Sequence, residues 1–349
     1  MNDTALPRRT VLTFLFGWLD CYQGAHKGMD TDPAMAKPDW FRVMPFLLLH
    51  LSCLAVFLPG VGWSWPAVAF AFALYWIRMF GITGVYHRYF SHRTYKTSRV
   101  FQFILALIGA SAVQRGPLWW AAHHRHHHRH SDEPSDIHSP IQRGFWWSHM
   151  FWFLTGNNYR TRTENIPDYA KFPELVLLDR FDTLIPILTG AGAFFLGIWI
   201  SPAGVVHPGG QFLTWWAIST ICVAHGTFTI NSLSHVWGKR VFQTTDTSRN
   251  NPWLAIVTMG EGWHNNHHHF QSSARQGFYW WQVDMSYYVL KSMSVVGLVW
   301  DLKPVPEKVL AEGRAKRGSM EAAIQNPAAD PASAATSSPA MAEAASAAS

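Results

Sequence analysis

Apolar positions along the chain gather into long runs, and four of these approach or reach the roughly 20 residues that a helix needs to cross a hydrocarbon core. They are about 40–59 (WFRVMPFLLLHLSCLAVFLP), 65–86 (WPAVAFAFALYWIRMFGITGVY), 182–200 (DTLIPILTGAGAFFLGIWI) and 211–230 (QFLTWWAISTICVAHGTFTI). A fifth run, FQFILALIGASAV (101–113), is too short to span and is expected as a buried or re-entrant helix. The pattern predicts an all-α membrane protein. Four transmembrane helices carry a helical cap built from the polar segments on one side. Residues 1–39 form a cytoplasmic N-terminal segment, 40–305 the membrane domain, and 306–349, rich in Ala, Ser and Pro, a disordered tail.

Composition agrees with a lipid environment: 48% of the chain is hydrophobic, and only 14% is charged, against roughly 25% in soluble domains. The placement of charge sets the orientation. Twelve Lys and Arg lie between Arg88 and Arg180, whereas the loops 60–64 and 201–210 contain none. Positive residues stay on the cytoplasmic side, so 87–181, the N-terminus and everything after 231 are expected there. Arg42 and Arg78 lie near the same face and are expected to snorkel towards it. This orientation accounts for the net charge of +6 without a nucleic-acid partner. Cys21, Cys53 and Cys222 are scattered and odd in number, which excludes a disulfide framework or a paired-cysteine metal site. The N-terminal apolar run is short, is interrupted by Asp20 and has no small-residue cleavage pattern, so it reads as an amphipathic segment and not an export signal. HPGG at 207–210 resembles a haem-ligand signature, but a loop of about ten residues holds no haem domain, and Pro-Gly-Gly is expected to make a turn.

The chemistry lies in histidine. HHRHHHRH (123–130) joins His87 and His92 in HRYFSH, Asn231 and His235 in NSLSH, and His264, His267 and His268 in GEGWHNNHHH, all on the predicted cytoplasmic face. A helix advances about 100° per residue, so i, i+3 and i+4 share a face. His124, His127 and His128 follow that spacing, as do His264, His267 and His268. His87 and His92 are about 140° apart on an ideal helix, so both serve only if the helix ends or bulges near Tyr89–Ser91. Imidazole suits Fe, Zn, Cu or Ni, and eight or more rings exceed the shell of one ion, which implies more than one transition metal. Asp132, Glu133, Asp136 and Glu261 are candidates to accept the other ring N–H and orient each imidazole. His123, His126 and His130 fall on other helix faces and are expected in solvent or near anionic headgroups. His269 is out of phase. His26, His50, His149 and His225 read as packing or local hydrogen-bonding residues, and His138 as either ligand or bystander.

HRYFSHRTYK (87–96), HRHHHRHSDEPSDIHSP (124–140), RGFWWSHM (143–150), NSLSH (231–235) and GEGWHNNHHHF (260–270) together closely resemble the membrane-bound fatty acyl desaturases of the stearoyl-CoA delta-9 type. The likeness runs from about 40 to 305, and GEGWHNNHH followed by FQSSARQGFYWWQVD looks like the bacterial members. The resemblance implies a bacterial inner-membrane enzyme of unsaturated fatty acid biosynthesis with both termini cytoplasmic. It implies two non-haem ferrous ions held by His87, His92, His124, His127, His128, His235, His264, His267 and His268, with Asn231 acting through water. Gln114, Thr227 and Phe228 match positions that line the bend of an acyl tunnel. Ala122 and Gly156-Asn157 stand where animal members place basic contacts to CoA, which opens the alternatives of an acyl lipid or acyl-carrier protein. Arg160 or Arg162 would be the substitutes for those contacts.

The activity implied is O2-dependent introduction of a cis double bond into an acyl-CoA or acyl lipid. An unactivated methylene offers a general base no acidic proton, so the oxidising work passes to the metals while the protein orients substrate and excludes water. No flavin or haem module is present in the sequence, so electrons are expected from a separate ferredoxin, rubredoxin or cytochrome b5-like donor, steered by basic residues. The alternatives are a di-iron acyl hydroxylase or decarboxylase and, outside enzymes, a transition-metal transporter. A transporter places ligands within its spans, where this chain has only His50 and His225.

Overall fold

The computed structural model describes residues 19–22 and 36–325. Most of the N-terminal segment and the last part of the tail lie outside these residues, as does His26. Helix α1 (Trp40–Cys53) runs on into a 3-10 turn, Leu54–Phe57. Helix α2 (Trp65–Phe80) begins where the Ser64 side chain accepts the Ala67 N–H and Pro66 occupies the first turn, a combination that satisfies one free donor and needs none at the proline. It continues without a break as π-helix over Gly81–Ser91. Helix α3 (Arg99–Ala110) is the short apolar helix expected at 101–113, and α4 (Pro117–His130) carries the histidine run. Helix α5 (Pro173–Arg180) turns by 70° into α6 (Leu184–Ile200), and α7 (Pro208–Val236) follows. The short α8 (His264–His269), α9 (Met285–Val295) and α10 (Glu307–Gln325) complete the labelled helices.

Among the described residues the rod Trp65–Ser91 is long and apolar enough to cross a membrane, and α5 with α6 qualifies as a second span if taken as one broken element. α1 is shorter than its apolar run because Leu54–Phe57 winds into the tighter 3-10 form. α7 is long but carries buried Gln211, Thr214, Ser219 and Thr220. These polar groups tie neighbouring helices: Ser64 Oγ donates to Gln211 Oε1 (2.6 Å), and Gln211 Nε2 donates to Val61 O (2.6 Å). α7 packs along α6, α2 and α1.

Three expectations need correction. Arg78 does not snorkel: it is 0% exposed, donates to Thr220 Oγ1 at 2.6 Å and covers the Trp216 ring at 5.0 Å. Its face of α2 lies against α7, so the guanidinium is trapped between helices. Pro208 opens α7 with His207 at its cap position, so HPGG starts a helix instead of closing a turn. Residues 307–325 of the expected disordered tail form α10, whose Val309 and Leu310 pack on the cluster of Phe242, Phe278 and Tyr279. Ala, Glu and Lys supply helix propensity there, and the apolar contact anchors it. A two-stranded antiparallel ribbon, β1 (Lys96–Thr97) with β2 (Val299–Trp300), pairs Lys96 with Trp300 and Thr97 with Val299, a small exception in a mostly helical fold.

α2 and α3 cross at two glycines. A Cβ at Gly81 would meet the Gly109 backbone at 2.9 Å, and one at Gly109 would meet the buried Tyr86 ring at 2.2 Å. Gly109→Ala is expected to cost ~1–3 kcal/mol through overpacking. It should lower the thermal midpoint of the detergent-solubilised protein by several degrees, whereas the same change at the open Gly192 has no neighbour within 4 Å to disturb.

Candidate metal centre

The π-helical stretch brings its two histidines together. The His92 N–H donates to His87 O at 3.2 Å, a step of five residues that defines the wider turn. The rings that an ideal α-helix would splay lie 4.8 Å apart. This is the bulge that the spacing required. Arg125 on α4 then pins the end of the stretch: it donates to Phe90 O (2.6 Å) and Ser91 O (2.9 Å) and forms a two-pronged pair with Asp168 (2.7 and 3.0 Å).

α8 faces its histidines inward because its two asparagines are clamped outward. Asn265 Oδ1 accepts the N–H groups of Val241 (2.8 Å) and Phe242 (2.7 Å). Asn266 Nδ2 donates to Gln276 O (2.9 Å) and Gln282 Oε1 (3.0 Å). His264, His267 and His268 are left for the site.

Nine histidines converge as two groups. His87, His92, His124, His128 and His267 form one, and His127, His235, His264 and His268 the other, with the ligand atoms of each group within 4.8 Å of one another. Four of the nine have their outer nitrogen fixed by a carboxylate. Asp136 accepts from His127 Nδ1 (3.0 Å), Asp132 from His235 Nδ1 (3.2 Å) and Asp246 from His268 Nδ1 (2.5 Å), while Glu261 pairs with His87 Nδ1. A ring that gives Nδ1–H to a carboxylate presents the lone pair of Nε2 to the centre. His267 Nε2 lies 3.0 Å from His87 Nε2 and 2.9 Å from His128 Nε2, His92 Nε2 lies 2.9 Å from His124 Nε2, and His268 Nε2 is buried without a partner. One ring hydrogen cannot serve two such contacts. The donor set fits cations at both groups.

Electrostatics keep most of the rings in the form that binds metal; at His127 burial acts in the same sense, but the charge and hydrogen bond of Asp136 outweigh it and raise the imidazole. Burial, reinforced by neighbouring rings, pushes His124, His128, His264 and His267 well below the usual imidazole range, and burial lowers His268 to about 4 despite Asp246. Neutral imidazoles are the state a metal requires. Burial alone would raise the carboxyls of Asp132, Asp136 and Asp246, but their hydrogen bonds and charge contacts with His235, His127 and His268 hold all three below the usual carboxylate range.

Several residues fall differently from their sequence reading. Glu133 pairs with the exposed His130 (2.9 Å) and plays no part in the centre. Asp246 was not anticipated, nor were Gln276, which donates to Glu261 Oε2 (3.0 Å), and Arg88, which bridges Glu261 (3.1 Å) and Asp284 (2.9 Å). An isolated Asp in TTDTS carries no spacing signal. His123 is not solvated: it is 2% exposed and gives Nδ1–H to Trp119 O at 2.9 Å. His138 is also buried, its ring 4.3 Å from that of His127, and with Asp136 these form a third potential ligand group.

A cavity of about 240 Å³ lies beside the first histidine group. Gln114, Thr227, Phe228 and Asn231 line it together with His124, and Gln114 Nε2 donates to Thr227 Oγ1 at 3.0 Å. The main-chain carbonyl of Asn231 accepts from Ser148 Oγ (2.8 Å). Arg115, paired with Asp182 at 2.5 Å, lines the same cavity. Arg160 pairs with Glu164 (2.5 Å), and Arg162 is buried.

The fatty acid desaturase family profile matches residues 63–294. The delta-9 acyl-lipid desaturase 1 of Arabidopsis thaliana is 39% identical over 270 residues, 76% of this chain and 83% of that protein. The sn-1 stearoyl-lipid 9-desaturase of Anabaena variabilis is 36% identical over 77% of this chain and 96% of its own length. The acyl-CoA C20 delta5-desaturase of Anemone leveillei is 37% identical, covering 78% and 83%. The chain therefore belongs to the fatty acid desaturase family. It is an oxidoreductase, a desaturase whose two histidine groups are able to bind metal ions.

Proposed function

We propose that the protein is an O2-dependent delta-9 desaturase of acyl groups carried on membrane lipids, with two iron ions at the paired histidine groups. The observation that carries this reading is the convergence of nine imidazoles, five and four, beside a cavity walled by apolar side chains. Bound iron would supply the reductive activation of O2 needed to remove hydrogen from an unactivated methylene. The chain's own residues do the rest. His87, His127, His235 and His268 are held in place through Nδ1, and Asn231, on the cavity wall, would act through water. The Gln114–Thr227 pair and Phe228 shape the chain's path past His124, where small errors of position are costly: a shift of about 1 Å loses ~100-fold in rate.

A lipid carrier is favoured over CoA by the chemistry at Ala122, Gly156 and Asn157, which offer no cation to a phosphate, and by relatives named for acyl-lipid and stearoyl-lipid substrates. The proposed topology has four spans, α1, α2 with its π-helical end, α6 and α7, with the histidine cap and both termini cytoplasmic in a bacterial inner membrane. The domain then covers 40–305, and electrons come from a separate ferredoxin, rubredoxin or cytochrome b5-like protein. The test is expression in a desaturase-deficient host, with gas chromatography and double-bond localisation on each lipid class. A new cis double bond at carbon nine of lipid-bound chains is expected; a hydroxylated or shortened chain would replace the reading with hydroxylase or decarboxylase.

A further inference from the structure

Three histidines outside the metal centre form a chain across the seam between α1, α7 and the π-helical turn Trp147–Phe151. His50 Nδ1 lies 2.8 Å from Phe46 O, and its Nε2 lies 3.1 Å from Nε2 of His225. His225 Nδ1 lies 3.0 Å from His149 Nε2, and His149 Nδ1 lies 3.0 Å from Ser232 Oγ. A carbonyl only accepts, so His50 gives its Nδ1–H to Phe46 O. Every other proton is then assigned in turn. His225 donates to His50, His149 donates to His225, and the Ser232 hydroxyl, 3.0 Å from both His149 Nδ1 and Phe228 O, shares its proton between them. Three neutral rings and one shared hydroxyl complete the chain.

Inside this chain lies one layer of phenyl rings. Phe46 is 4.4 Å from His50, Phe228 is 5.7 Å from both His149 and His225, and Phe153 is 5.1 Å from Phe228. Phe46, Phe153 and Phe228 all line the cavity. Outside it, Leu47, Leu54, Phe151 and Cys222 are exposed. The wall here is therefore one phenyl ring and one imidazole deep. A two-tailed lipid must keep its second tail in the bilayer, so its reacting tail has to enter sideways between helices. Apolar surfaces on both sides of a thin wall suit that passage, and the polar ties across it are few: the imidazole links and the Ser148 hydroxyl on Asn231 O (2.8 Å), which reform when the tail has passed.

We propose that this seam is the lateral portal by which one acyl chain of a bilayer lipid enters and leaves the cavity, with His50, His225 and His149 as the latch that holds it closed. This rests on the acyl-lipid reading above. Cys53 and Cys222 lie three residues from His50 and His225, so each is on the face of its helix that carries the latch. The test uses the full-length, metal-loaded protein in phosphatidylcholine vesicles whose sn-1 stearoyl chain is radiolabelled, and counts label that copurifies after rapid solubilisation, without reductant so that nothing turns over. Bridging Cys53 to Cys222 with a cleavable bis-maleimide, which adds each thiol across a double bond, is expected to halt uptake, and cleaving the bridge to restore it, with Cys53→Ser as the unbridged control. His225→Ala should speed exchange about tenfold, the scale of one net hydrogen bond, with bound metal unchanged. Uptake by the bridged protein at the untreated rate, or exchange in His225→Ala at the native rate, overturns the portal. Bound label that the untreated, reduced enzyme never desaturates overturns the acyl-lipid reading instead.

Discussion

His267→Ala is expected to abolish double-bond formation and to strip metal from the group it belongs to. Its Nε2 stands between His87 and His128, 3.0 and 2.9 Å away, so its loss opens the middle of the five-ring group and not its edge. The remaining four rings cannot close around the same point, because His87 is held by Glu261 and His92 by the backbone of the π-helical turn. His127→Ala should do the same at the other group, and it also leaves the buried Asp136 carboxylate without the imidazole that offsets its desolvation. Elemental analysis of purified protein, with circular dichroism to verify folding, reads the metal content; lipid profiling of the expressing host reads double-bond formation. Native activity with native metal content in either variant would refute the ligand assignment.

Asp246→Ala should reduce metal affinity or activity by about 10- to 100-fold, the usual penalty for losing a group that orients a ligating histidine. Asp246 sits 2.5 Å from His268 Nδ1 and also accepts from Ser248 N–H (3.0 Å) and Thr244 Oγ1 (2.9 Å), so it fixes both the tautomer and the direction of the ring. Glu133→Ala is the matched control. That carboxylate touches only the exposed His130, and metal content and activity should stay at native levels. Metal retention against a graded chelator distinguishes the two. Equal behaviour of both variants would show that Asp246 does not orient His268.

What the chain discloses on its own divides by the range of the interaction. The i, i+3, i+4 triplets at His124 and His264 are local facts of helix geometry and could be read directly. The bulge between His87 and His92 followed from the same arithmetic, since no regular α-helix brings both to one point. Asp246, Gln276 and Arg88 could not be found this way: each reaches its partner only after distant segments pack, with no periodicity to mark it. Arg78 misled for a related reason. Hydropathy places a charge near a membrane face, but which helix covers it depends on the neighbour, and here Trp216 and Thr220 of α7 enclose it. The 307–325 helix was hidden by composition, because Ala-rich sequence reads as low complexity until Val309 and Leu310 find the Phe242 cluster.

Both α4 and α8 are shared. His124 and His128 serve one group and His127 the other, while His267 serves the first and His264 and His268 the second. A single turn of each helix thus spans the two cages, and the interval between their centres is set by backbone pitch and not by side-chain freedom. Ordering that turn around one ion prepares the ligands of its neighbour. Filling of one cage is then expected to favour filling of the other, and a starved cell to hold more empty and complete protein than two independent cages would give.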